Sequence, residues 1–148
     1  MSAINSDDEL WSVLMWGIQS EKPDGELPAQ GFTPGGQILI TGQPSASSRT
    51  LEWSDAEEKP CSMTLSTKVN RLEGNDVLVN FGGTKVKCAK VEVYTLSSAD
   101  GSIQMLVGLL NQTHSGWIGT GNAGAFVAQA GPVTPSWKQR LARWILGR

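Results

Sequence analysis

The chain has few residues of the types that catalysis and metal binding use. It contains one histidine, two cysteines and one tyrosine, and only 18% of its residues are charged. One histidine with two cysteines twenty-seven positions apart, Cys61 and Cys88, matches no common zinc spacing. No Gly-x-Ser-x-Gly motif is present, and no acid follows Asp100 to orient His114 as a general base. We therefore predict that the protein is not an enzyme and uses no metal and no cofactor.

Long apolar runs and targeting signals are also missing. No window approaches the roughly 18 uncharged apolar residues that a membrane span needs, so no span is predicted. The N-terminus is acidic and polar, unlike a secretory signal peptide. We therefore expect no signal peptide and a cytoplasmic or virion-associated location. The 148 residues are predicted to form a single domain, 1–148, which is long enough to bury a sizeable core.

The middle of the chain, 37–130, carries the period-two alternation of strands. Its clearest example is 61–69, where all the odd positions except Thr67 are apolar and the even positions are Ser, Thr or Lys. Tight turns are predicted at 73–76, Gly82-Gly83 and 99–101. Short turns imply an antiparallel meander. The fold class is therefore mainly β, an antiparallel β-sandwich or small barrel of about six to eight strands, with an N-terminal and a C-terminal helix.

Two features of these strands carry specific predictions. In 84–96 the apolar phase changes from Val86 and Cys88 to Val91 and Val93, which predicts a β-bulge near Ala89-Lys90. The strand 103–110 is apolar on both sides, so we expect it to be central or covered on both faces. Both cysteines fall on core-facing positions, where buried free thiols are favoured over a disulfide bond.

Aromatic residues at both ends predict helices that dock on a surface. Residues 1–18 begin with a capping-box pattern at Ser6 to Glu9, which favours an N-terminal helix followed by a loop or arm over 19–36. The last residues place apolar side chains on one helical face, which predicts a basic amphipathic helix over 135–147. Packing of this helix on the protein's own sheet is favoured over insertion into a neighbouring subunit or partner, and both over binding of a polyanion or a membrane surface. The side chains predicted to bind a partner are Trp11, Trp16, Trp137, Leu141, Trp144 and Ile145.

Charge is segregated along the chain. Residues 1–60 carry ten acids against three bases, net −7, and residues 61–148 carry four acids against nine bases, net +5. This asymmetry suits contacts between copies or a basic face for polyanions, unless the halves interleave in space. The candidate polyanion contacts are Lys68, Lys85, Lys87, Lys90, Lys138, Arg140, Arg143 and Arg148.

The glycine-rich segment 116–124 lacks the Lys-Ser/Thr pair of a Walker loop. We interpret it as a surface loop, in which Trp117 and His114 are candidate ligand contacts together with Trp53.

Three functional hypotheses follow. The leading one is a non-enzymatic structural or assembly subunit, of the kind found in viral or phage particles, which forms a homo-oligomer or larger assembly through aromatic terminal helices and complementary charge. The alternatives are a β-module that binds a sugar or peptide, and a protein that binds single-stranded nucleic acid. The C-terminal helix is short and has few cations, so we do not expect it to contact a membrane surface.

Overall fold

A computed structural model describes residues 8–19, 27–112 and 122–131. They form eight antiparallel strands that close into one barrel, with each strand paired to its neighbours in chain order and β8 paired to β1. The strands are β1 (Glu9–Gln19), β2 (Gln37–Thr41), β3 (Ser48–Ser54), β4 (Pro60–Thr67), β5 (Arg71–Phe81), β6 (Thr84–Ser97), β7 (Gln104–Asn111) and β8 (Ala123–Ala130). The prediction of a mainly β, antiparallel fold is confirmed. Within the described ranges, no helix is long and apolar enough to cross a membrane.

Alternating burial along the strands fills the barrel. In β4, for example, Cys61, Met63 and Leu65 are buried and the residues between them are exposed or half-buried. Fully buried aliphatic side chains such as Ile38 and Val79 come from strands on different sides of the ring, so the interior is a packed core. Cys61 and Cys88 are buried in this core as thiols and form no disulfide bond, and burial raises the pKa of the Cys61 thiol.

The predicted N-terminal helix over 1–18 is wrong for 9–18, because Glu9–Gln19 is strand β1. β1 pairs with β2 from Glu9 to Ser12 and with β8 from Trp11 to Gln19. A closed barrel requires this strand, since its absence would leave two sheet edges with unpaired backbone groups. Aromatic and β-branched residues suit this position, and a shift of register between Val13 and Met15 breaks the strict alternation that would have marked it as a strand.

The β-bulge predicted near Ala89-Lys90 is not found between β5 and β6. β5 and β6 keep one register from Arg71↔Tyr94 to Phe81↔Thr84. The buried set on β6 does change phase near Ala89, but β5 changes phase opposite to it, at Asp76, whose φ is 52°. Because the two strands switch faces together, neither needs an extra residue relative to the other.

Residues 73–76, predicted as a turn, are part of β5. They lie where the pairing of β5 with β4 is irregular. Between the pairs Ser62↔Asn80 and Ser66↔Glu73, β5 advances by seven residues and β4 by only four. The polar, glycine-containing stretch therefore marks an irregularity within a strand.

The other two predicted turns are present. Gly82 and Gly83 have φ of 63° and 102°, the left-handed values that a two-residue hairpin turn requires. In the β6–β7 hairpin, the Asp100 carboxylate accepts hydrogen bonds from the Ser98 hydroxyl at 2.7 Å, the Ser102 hydroxyl at 2.7 Å and the Ser102 amide at 3.0 Å.

These hydrogen bonds predict a pH dependence of the β6–β7 turn. They lower the pKa of Asp100 from 3.8 to about 2, so the charged form stabilises the folded turn above about pH 4. This stabilisation is lost as the pH falls from about 4 to about 2. An NMR titration of the Asp100 carboxyl carbon should give a midpoint near 2, and Asp100→Asn should remove the accompanying shift of the Ser102 amide. A midpoint near 4 would contradict the assignment.

Residues 27–36, here called the plug, close one end of the barrel. Phe32 is 1% exposed, and its ring stacks on Trp53 and Phe126 at centroid distances of 4.4 and 4.6 Å. Two indole N–H groups hold the plug: Trp53 donates to the Gly31 carbonyl at 2.7 Å and Trp16 donates to the Pro28 carbonyl at 2.9 Å. The plug therefore supplies the aromatic core at this end of the barrel.

An ion pair occupies the opposite end. The Arg49 side chain is 6% exposed and pairs with the Glu9 carboxylate, which also accepts a hydrogen bond from the Trp11 indole at 3.2 Å. Arg49 Nε donates to the Gly42 carbonyl at 3.2 Å. A buried arginine is costly without such partners, so Glu9, which the capping-box pattern assigned to a helix start, instead neutralises charge within the barrel.

Candidate functional site

One side of the barrel has an outer surface without charge. β7 and β8 contain no charged residue, and Glu9 is the only one in β1, where it faces the barrel end and pairs with Arg49. These three strands are adjacent, in the order β7, β8, β1. We call their outer surface the charge-free wall. β2 and β4 also contain no charged residue, whereas β3, β5 and β6 carry charges on their outer positions, as Glu52 does on β3 and Lys87 on β6.

The strand register aligns apolar side chains in rows across this wall. One row runs from Val107 on β7 through Val127 on β8 to Met15 on β1. The next row contains Leu109 and Ala125. Met15 is 52% exposed and Leu109 is 37% exposed, so the rows face outward although they are apolar.

The apolar surface extends at its margins. Leu14, at the irregularity of β1, is 44% exposed, and Leu96 on β6 is 54% exposed and pairs with Met105. Single exposed apolar residues are ordinary on protein surfaces, whereas a contiguous group marks an interaction site. This arrangement explains the pattern of β7: its inward residues fill the barrel, and its outward residues form the wall.

The lysine face predicted for polyanions is present only in part. Lys85 and Lys87 share the exposed outer side of β6, as expected from their spacing. The Lys90 ammonium lies 4.0 Å from the Glu73 carboxylate, which also receives a hydrogen bond from Arg71 Nε at 2.9 Å. That hydrogen bond lowers the pKa of Glu73, and the charges of Arg71, Lys90 and Lys68 act in the same direction. The acid therefore offsets part of the positive charge.

A second acid lies in the same region. The Tyr94 hydroxyl donates to the Glu92 carboxylate at 2.5 Å, and this hydrogen bond raises the pKa of Tyr94. Tyr94, which lies on β6 with Lys85, Lys87 and Lys90, is thus engaged by a carboxylate, which is a poor neighbour for a nucleic-acid phosphate.

Three tryptophans predicted to contact a partner or ligand have places in the barrel. Trp11 is 3% exposed and Trp53 is 6% exposed, both within the core. Trp16 is half-buried against the plug, with its ring centroid 4.9 Å from that of Phe32. Packing is the role that the structure shows for all three, and partner binding by Trp11 and Trp16 stays a prediction.

Several candidate residues lie outside the described ranges. They are His114 and Trp117 of the glycine-rich loop and the residues of the predicted C-terminal helix, Trp137, Lys138, Arg140, Leu141, Arg143, Trp144, Ile145 and Arg148. Within the described ranges, no group of three His, Cys, Asp or Glu side chains could hold a metal ion. Comparisons with family models, curated proteins and solved structures found no match to this chain.

Proposed function

We propose that the protein is a non-enzymatic structural subunit that associates with further copies of itself through the charge-free wall. The observation that carries this proposal is the run of three adjacent strands whose outer positions bear apolar side chains and no charge. Burying such a surface is favourable by roughly 25 cal/mol for each Å² of apolar area. An apolar surface of this kind on a folded domain is characteristic of protein–protein contacts.

A second copy fits this wall better than a charged partner would. Two copies related by a twofold axis would place the same apolar rows against each other, and no like charges would meet in the contact. Central interface positions are generally depleted in charge, as these rows are. The charges on β3 and β6 lie outside the contact and would keep the remaining surface hydrated and soluble.

The proposal is tested with two leucine-to-lysine variants, one on the wall and one on β5, two strands away from β7 in the ring. Leu109→Lys adds a charge to the wall, whereas Leu78→Lys changes an exposed leucine on β5, 59% exposed, away from the wall. We expect the unmodified chain and Leu78→Lys to be oligomeric by light scattering. Leu109→Lys should weaken association about a hundredfold or more, because its ammonium would be buried without a partner.

The solution mass of the unmodified chain is measured from about 1 μM to about 1 mM, which spans weak to moderate affinities. A monomer at every concentration would contradict the proposal. Equal dissociation by both lysine variants would show that the contact lies elsewhere. Circular dichroism and thermal unfolding of each variant establish that the barrel is folded.

A further inference from the structure

A groove lies on the outer surface of β1, β2 and β3, next to the charge-free wall. Its floor contains Leu10 and Leu39, which are direct partners across β1 and β2. Residues 33–37 and the turn at 54–60 form its walls, and its volume is about 850 Å³. This size lies within the range of roughly 300–1,000 Å³ in which proteins hold ligands or side chains of a partner.

The charged residues that line the groove all have the same sign. Glu52, Asp55 and Glu58 are among its lining residues, and no lysine or arginine is. Glu52 and Glu58 are exposed. Lys59 lies in the same turn, with its ammonium 3.4 Å from the Glu57 carboxylate, so these two charges offset each other. The groove therefore combines an apolar floor with a negative rim.

An unsatisfied polar atom lies at the same place. The Thr33 hydroxyl is buried and has no hydrogen-bond partner among the described residues. A buried hydroxyl without a partner is costly, but because this atom is inaccessible to solvent it is not itself a contact for a docked segment.

The described chain ends beside this groove. The Gly131 amide donates to the Leu10 carbonyl at 2.9 Å, and the Gly131 carbonyl accepts a hydrogen bond from the Ser12 hydroxyl at 2.8 Å. Gly131 is thus fixed to the strand whose Leu10 side chain forms part of the groove floor. Residues 132–134 can span about 10 Å when extended, which equals about two strand spacings. Residue 135 can therefore lie over β2, at the floor of the groove of the same molecule.

The segment that follows has the complementary chemistry. Residues 135–148 contain four bases and no acid, and their apolar residues recur at helical spacing. We propose that residues 135–148 form a helix that docks in the acidic groove of the same chain, with Trp137, Leu141 and Trp144 over the Leu10–Leu39 floor and the basic side chains beside the acidic rim. A helix of this length is marginal in water by itself, and docking supplies the packing that stabilises it.

The charge-free wall is a poorer place for this segment. An apolar helix face could lie there, but Lys138, Arg140 and Arg143 would find no acid on β7, β8 or the outer face of β1. Charge complementarity therefore selects the groove and leaves the wall to the copy-to-copy contact proposed above. The two surfaces share only the outer face of β1. The groove variants lie on β2 and β3 and the wall variant lies on β7, so either proposal can fail without the other.

Cross-linking within the full chain tests the docking. Gln37→Cys places a thiol on the exposed rim of the groove, and Leu141→Cys places one on the helix face. With a short bis-maleimide, this pair should give a cross-linked product at the mass of one chain. The matched control joins Leu141→Cys to Lys87→Cys on β6, the strand opposite β2 in the ring, and should react about tenfold more slowly or not at all. The single-cysteine variants report any contribution from the buried Cys61 and Cys88.

A charge exchange tests the cause of the docking. Glu52→Lys and Arg140→Glu should each slow the cross-linking of the Gln37→Cys and Leu141→Cys pair about two- to fivefold, and the two changes together should restore it. Equal rates for the groove pair and the control pair would overturn the proposal. A product at twice the chain mass would also overturn it, by showing that the segment occupies the groove of another copy.

Discussion

Phe32→Ala is expected to lower the free energy of unfolding by about 3–5 kcal/mol, because it removes the ring on which the plug end of the barrel is assembled. Phe32 contacts Trp16, Trp53, Phe81 and Phe126, with centroid distances between 4.4 and 6.0 Å. The four rings come from four strands, so the lost contacts cannot be recovered by a local shift. For a chain of this size the melting temperature should fall by roughly 10 °C.

Two variants make this result specific to the ring. Phe32→Leu keeps an apolar side chain of related volume and should lower the free energy of unfolding by less than half as much as Phe32→Ala. Val69→Ala, in a fully exposed position between β4 and β5, should change the free energy of unfolding by less than about 0.5 kcal/mol. Tryptophan emission should shift to longer wavelength in Phe32→Ala as Trp53 gains contact with water. If Phe32→Ala lowered the free energy of unfolding by less than about 1 kcal/mol, the plug would not belong to the core.

Gly108→Ala is expected to be the second severe substitution, although it adds only a methyl group. A Cβ at Gly108 would lie 1.9 Å from Cε2 and 2.3 Å from Cζ of Phe126, far inside carbon–carbon contact distance. The Phe126 ring is 0% exposed and stacks on Phe32, so it cannot turn aside without breaking that stack. We expect a loss of about 3 kcal/mol or more in chemical unfolding, at the upper end of overpacking costs.

Gly17→Ala is the matched control, because a Cβ at Gly17 meets nothing within 4 Å. It should be neutral or stabilise the strand by about 0.5–1 kcal/mol. Adding Phe126→Leu to Gly108→Ala should recover part of the loss, which a double-mutant cycle would report as a favourable coupling between the two changes. Equal effects of the two glycine substitutions would contradict the assigned packing.

Sequence periodicity was sufficient for the strands in the middle of the chain. In β4 the apolar residues Cys61, Met63 and Leu65 alternate with serine and threonine, as predicted for 61–69. In these strands one side faces the core and the other faces water, so the pattern carries both the secondary structure and the orientation. Turns with glycine at left-handed positions, such as Gly82 and Gly83, were equally recognisable.

β1 shows why periodicity failed at the N-terminus. Its inward side chains pack in the core, while Leu14 and Met15 belong to the charge-free wall. Apolar residues on both sides remove the alternation, and the irregularity between Val13 and Met15 shifts its phase. A strand with two apolar sides resembles a buried helix in a single sequence. Only the need to close the barrel distinguishes them.

The burial of the plug could not be predicted from the sequence, for a different reason. Phe32 stands alone between glycine, threonine and proline residues, and its neighbours in sequence show no apolar period. Its burial depends on rings from β1, β3, β5 and β8 that meet only after the barrel closes. The wall, in contrast, left a signal: β7 is apolar on both sides, which predicted a second covered face without saying what covers it.

Intermolecular NMR contacts test the proposed association through the wall most directly. In a sample mixed from chains with isotope-labelled methyl groups and unlabelled chains, filtered NOE spectra detect only contacts between copies. We expect such contacts to join the methyl groups of Met15, Leu109 and Val127 to protons of the same wall in the second copy. The absence of these contacts at concentrations where the chain is oligomeric, or their appearance at Leu78 on β5, outside the wall, would contradict the proposal.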